Sequence, residues 1–186
     1  MINQGESQNA RLIVTDSLFS TIDLRSFSNV WFWLVLAVAW SNASHFLLGV
    51  PFDLVQTARR KGGEAMADFE TLARIQSRRR MQIMERAGVW LVAFWMAVLS
   101  ALAVLGFRYG LEFAQALVLL LGPLTLAAWL TLRLAARIDR GLYPEGDAMA
   151  RAFGRQRILV QAIGLFTILV TTMWGMWQNL TLRALG

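Results

Sequence analysis

Residues 87–107 read AGVWLVAFWMAVLSALAVLGF, an unbroken apolar stretch without a charged residue. At about 1.5 Å of rise per residue, such a helix crosses a hydrocarbon core about 30 Å thick. Three neighbouring segments have the same character. Residues 30–50 begin VWFWLVLAVAW and close at Pro51, residues 113–132 carry Gly122-Pro123 near their middle, and the last runs over about 158–180. A proline inside a span removes one backbone hydrogen bond and predicts a kink, which neighbouring helices tolerate. Only Arg108 to Glu112 separate the second and third segments, so these two must form a tight antiparallel hairpin.

Composition supports the same class. The 186 residues are 56% hydrophobic and 16% charged, with a mean hydropathy of +0.48, outside the range of an ordinary soluble domain. The expected fold is all-α: a polytopic membrane protein with a bundle of four transmembrane helices and an amphipathic cytoplasmic helix between the first two. Two longer connections, residues 51–86 and 133–157, carry helix-like patterns broken at Gly62-Gly63 and at Tyr143-Pro144-Glu145-Gly146. Within Glu64 to Arg86, Met66, Phe69, Leu72 and Ile75 recur in three-residue steps, and Glu70 stands four residues before Arg74. That pattern predicts an amphipathic helix continuing into the second span.

Basic residues give the bundle a direction. Eight Lys or Arg fall in residues 51–86 and six in residues 133–157, against two before the first span, one in the hairpin and one after the last. By the positive-inside rule the two Arg-rich connections face the cytoplasm and both termini face outward, in a bacterial inner membrane. Trp31, Trp33, Trp174 and Trp177 then lie at the outer interface, where indole rings favour the headgroup level. Residues 1–29 form an outer N-terminal segment without a signal-peptide pattern, so the first span serves as its own insertion signal. The net charge of +6 includes a single lysine, Lys61, and the arginines sit beside apolar segments, which explains the charge by topology and not by nucleic acid.

The material for catalysis is sparse. There is no cysteine, which excludes disulfides and thiolate-held metals within the chain, and His45 is the one histidine. No Gly-rich phosphate loop, zinc-binding His pair or serine elbow is present, so an enzyme is not expected. His45 lies in the polar stretch Ser41-Asn42-Ala43-Ser44-His45 of the first span. An imidazole there can hydrogen-bond to a neighbouring helix or to water, the ordinary reading. It can also hold one axial position of a chlorophyll-type magnesium or a haem iron, the only cofactors the chain suggests. Asn42 and Gln161, with Ser41 and the Thr171-Thr172 pair, are candidates for interhelical hydrogen bonds. Ala93, Ala97 and Ala101 form a small-xxx-small stripe that lets an internal or foreign helix approach closely. Arg78, Arg79 and Arg80, with Arg74 and Arg86, stand just before a span. They anchor topology there and offer contacts to lipid headgroups or an acidic protein surface.

Residues 23–33, DLRSFSN followed by VWFW, then Ala43-Ser44-His45, residues 49–53 (GVPFD) and residues 106–116 (GFRYGLEFAQA) resemble a family of small alphaproteobacterial membrane proteins. Its members are commonly labelled as a component of the SufBCD complex, which assembles iron–sulfur clusters. The resemblance covers residues 16 to about 140. It implies company with that machinery, with residues 52–86 as the docking surface. Lacking cysteine, the chain would anchor or organise such a machine without ligating its cluster through thiolates.

Three function classes follow. The first is an accessory, scaffold or assembly subunit whose partners are other membrane-protein subunits and lipids. The second is a pigment- or haem-associated subunit using His45, in a photosynthetic or respiratory assembly. The third is a small oligomeric transporter or channel, for which the spans supply no Asp, Glu, Lys or Arg in their central portions.

Overall fold

Helix formation follows the apolar stretches and overruns them wherever arginines crowd. The computed structural model describes residues 30–143 and 146–184, so the expected outer segment 1–29 and Pro144-Glu145 lie outside the described residues. Helix α1 is Val30–His45, α2 is Phe52–Lys61 and α3 is Gly63–Ala103, continued by a π-helical turn over Val104–Arg108. Helix α4 is Glu112–Asp139 and α5 is Asp147–Ala184. The described residues are thus all-α apart from one small hairpin, and among them three helical runs are long and apolar enough to cross a membrane: Gly63–Arg108, Glu112–Asp139 and Asp147–Gln178.

The first apolar segment departs from expectation. Its helix has 16 described residues, about 24 Å at the usual rise, and it ends at His45, well before Val50. Strands β1 (Phe46–Leu47) and β2 (Val50–Pro51) then pair antiparallel, Phe46 opposite Pro51 and Leu47 opposite Val50. Leu48 and Gly49 form the two-residue turn with φ of 58° and 79°, the left-handed pair that a type I′ hairpin requires. A leucine in that region costs about 1–3 kcal/mol, and burying its side chain returns about 1.5–3 kcal/mol. At 1% exposed, Leu48 has that compensation.

Residues 51–86 and 133–157 are mostly helix, broken at Gly62 and over residues 140–146. One side of α3 is buried through Phe69, Ala73 and Ser77, with Met66 and Leu72 of the expected row packed partly buried against the same core, while Ile75 is 57% exposed. Phe69 meets Phe153 of α5 edge to face at 5.2 Å, and both are fully buried. Val50, Val55, Ala58, Ile138 and Met149 belong to the same buried cluster. Polar ties close it: Arg59 reaches Asp147 at 3.3 Å, and Glu70 accepts a hydrogen bond from the backbone N–H of Gly146 at the start of α5.

The apolar stretches pack more thinly. Helix α4 is flanked by α3 on one side and α5 on the other, and α1 lies against α5. Along α3, nearly every residue of the apolar run is uncovered. The α1–α5 contact is close: a Cβ on Gly164 would lie 2.8 Å from the ring of Trp40, so only glycine fits there.

Phe153→Ala is expected to cost about 3–5 kcal/mol, as for other buried aromatic truncations. It should lower the midpoint of thermal unfolding in detergent, whereas truncation of Phe94, 70% exposed on α3, should leave the midpoint nearly unchanged. Circular dichroism on the purified variants checks both.

Candidate functional site

At the hairpin end, α3 stops being α-helical before it turns. Its π-helical turn leaves the Gly106 carbonyl to accept a hydrogen bond from Gln115 Nε2 at 2.8 Å, while Gln115 Oε1 accepts from Trp174 Nε1 at 3.0 Å and from Gln178 Nε2 at 2.7 Å. One glutamine, 5% exposed, therefore ties α3, α4 and α5 together. Gly106 is required by the same approach, since a Cβ would meet the backbone nitrogen of Gln115 at 2.8 Å. Phe107 packs on Trp174 at 5.6 Å beside it. Sequence reading missed Gln115 as a bonding residue. The available signal was a lone amide in an apolar helix, just past a five-residue turn.

Further along the bundle, Trp95 Nε1 donates to Thr125 Oγ1 at 2.8 Å, and that hydroxyl donates to the Leu121 carbonyl at 2.7 Å. Gln156 likewise donates to Thr131 at 3.3 Å, joining α5 to α4. These pairs do the interhelical work expected of Asn42 and Gln161. Both of the latter are exposed and make no hydrogen bond among the described residues; Asn42, two residues past Trp40, points away from the α1–α5 contact made by Trp40 and Gly164. Among the described residues, Thr172 bonds its own helix, to the Ile168 carbonyl, and the buried Thr171 hydroxyl has no hydrogen-bond partner.

His45 sits at the end of α1, packed on Phe46 at 4.8 Å, with Nε2 3.7 Å from the Asp53 carboxylate of α2. The ring is about half exposed, and its Nδ1 is buried without a hydrogen bond. His45 thus stands over the hairpin that connects α1 to α2. Among the described residues no three His, Asp or Glu side chains gather into a metal-binding group.

The remaining candidates lie on α3. Ala93, Ala97 and Ala101 are all exposed, so no described helix of this chain covers the stripe. On the opposite side of α3 by helical phase, α3 and α4 enclose an apolar groove of about 650 Å³ whose walls include Leu91, Trp95, Leu121 and Trp129 and none of the three alanines. Of the arginines, Arg78, Arg79 and Arg86 are exposed, and Arg74 and Arg80 are partly buried. Burial pushes the Arg80 guanidinium below its ordinary pKa. Arg79 and Arg80 share a recess with Gln76, Ile83 and Leu132, and Arg78 is not among its lining residues, as expected of consecutive residues on a helix.

Gln115→Leu would leave the Trp174 and Gln178 donors and the Gly106 acceptor without this partner. A loss of about 1–3 kcal/mol is expected, read as a lower unfolding midpoint in detergent, and Gly106→Ala should act in the same direction through its backbone clash.

No family model, curated protein or solved structure matches the chain.

Proposed function

We propose that this chain is a non-catalytic accessory or scaffold subunit of a bacterial inner-membrane complex, and that it receives a transmembrane helix of a second membrane protein along α3. The observation that carries this reading is the exposed Ala93, Ala97 and Ala101 stripe, which no described helix of the chain covers. Small residues permit close backbone approach, which drives helix association in lipid where hydrophobicity does not.

In this reading α1 is the fourth span. Its described part, Val30–His45, carries the apolar run of that segment, and Trp31 and Trp33 suit the interface at its outer end. The chain then begins and ends outside, and α2, the amphipathic first half of α3, and the α4–α5 connection form a cytoplasmic layer. The resemblance to the SufBCD-associated family supplies the company: that layer is the face an iron–sulfur assembly machine would meet. His45 lies 3.7 Å from Asp53 of α2, and in this reading it serves to join α1 to α2 and not as a pigment or haem ligand. Purified protein should show no visible absorbance band, and a band lost on His45→Ala would overturn that part of the reading.

A photo-crosslinking residue at position 97, introduced in living cells, should capture one membrane protein, and the same probe at position 165 on α5 should not. Ala97→Leu should abolish copurification of that partner in mild detergent while leaving the unfolding midpoint within about 0.5 kcal/mol of the parent, as exposed substitutions do. Crosslinking to lipid alone, with copurification unaffected by Ala97→Leu, would overturn the proposal.

A further inference from the structure

A second recess lies between the last turns of α4 and the first turns of α5. It encloses about 320 Å³ and is lined by Arg133 and Arg137 from one helix and Arg151 and Arg155 from the other. Each pair is spaced four residues apart, so each forms a row along its helix, and the antiparallel arrangement sets the two rows across the same opening. Among the described residues, no carboxylate is in the lining. Asp147, one turn before Arg151, takes up part of that residue's charge at 3.2 Å and also holds Arg59. The Arg133 guanidinium lies over the Trp129 ring at 4.2 Å, a stacked pose that steadies the charge at the edge of the apolar zone.

The recess is polarised along the helices. Toward the middle of the apolar stretches its walls become Leu130 and Leu159, and toward the helix ends they are Arg137, Tyr143 and Arg151. About 10 Å of helix separates Leu130 from Arg137. An occupant must therefore be anionic at one end and hydrocarbon at the other. A soluble anion matches only the first condition, and an acidic peptide does not extend into lipid. Basic pockets between spanning helices at a membrane surface are suited to phospholipid headgroups, and two facing arginine rows suit two phosphates, each met by a guanidinium fork.

We propose that this groove binds a two-phosphate anionic phospholipid of the diphosphatidylglycerol class, with its phosphates between the arginine rows and an acyl chain along Leu130 and Leu159. The site is separate from the α3 face and requires only that α4 and α5 cross a membrane.

Full-length protein exchanged into nanodiscs of phosphatidylcholine containing diphosphatidylglycerol, phosphatidylglycerol or neither should show the highest thermal unfolding midpoint with diphosphatidylglycerol. Native mass spectrometry should find that lipid retained. In the double variant Arg137→Gln, Arg155→Gln, binding is expected to weaken roughly 30-fold, from two lost guanidinium contacts. Arg78→Gln with Arg79→Gln should leave it unchanged. The wild-type midpoint shift supplies a readout that does not depend on how the variants fold. Equal midpoints with the two anionic lipids, undiminished retention by the Arg137/Arg155 variant, or displacement of the lipid by millimolar inorganic phosphate would each overturn the proposal, the last by assigning the groove to a free anion.

Discussion

The contact on which the arrangement depends is that of Phe69 with Phe153, outside the apolar stretches. It joins the first half of α3 to the first turns of α5, two segments far apart in sequence. Around it the hairpin, α2 and the end of α4 contribute Val50, Val55 and Ile138, so that every connection on the Arg-rich side enters one buried cluster. In water that burial is favourable by roughly 25 cal/mol per Å² of apolar area. Between helices in lipid the same term vanishes, because acyl chains are as apolar as leucine. Uniqueness of structure must therefore come from the aqueous layer and from a few specific contacts within the apolar zone.

Those few contacts are of two kinds. Close approach is set by glycine: Gly164 under Trp40 fixes α1 on α5, and Gly106 against Gln115 fixes the return of α4 beside α3. Directional bonds are set by polar side chains with few competing partners, as in the Gln115 node and the Trp95–Thr125 pair. The π-helical turn at Val104–Arg108 is part of the node, since it presents the Gly106 carbonyl to the glutamine. With the aqueous cluster at one end and the Gln115 node at the other, α3, α4 and α5 are held at both ends, and the middle of α3 is left uncovered.

The three long apolar helices were legible in the sequence because hydropathy over a span is a sum that survives ignorance of packing. The hairpin between residues 107 and 113 was legible for a different reason, as five residues leave no alternative path. The end of α1 was not legible. A run of apolar residues from Phe46 to Val50 looks continuous with the helix before it, and the left-handed turn at Leu48 is tolerated only because tertiary burial compensates a leucine there. Helix breaks at Gly62 and near Gly146 were marked by residue type, but which side of α3 faces inward depended on its partner, and the buried row proved to be Phe69, Ala73 and Ser77. Among polar residues, sequence alone could rank Asn42 and Gln161 with Gln115. Only the phase of each helix against its neighbour separates the bonded amide from the two that face outward.

The positive-inside rule counts arginines without regard to where they stand on the helix surface. In the fold they divide. Arg59 is held by Asp147, and Arg157 lies over the Phe52 ring at 4.0 Å, both within the aqueous layer. Arg133, Arg137, Arg151 and Arg155 line one open groove, where Asp147 reaches Arg151 at 3.2 Å and no other described carboxylate is in the lining. Orientation in the membrane would be served equally by arginines spread around the helices, so topology does not account for that convergence. Like charges gathered in one recess repel, and at the boundary of a low-dielectric phase the repulsion is screened less than in bulk water. An arrangement that raises its own electrostatic energy is favourable only when counter-charge is present; Asp147 supplies one, and in the reading proposed above lipid phosphates supply the rest.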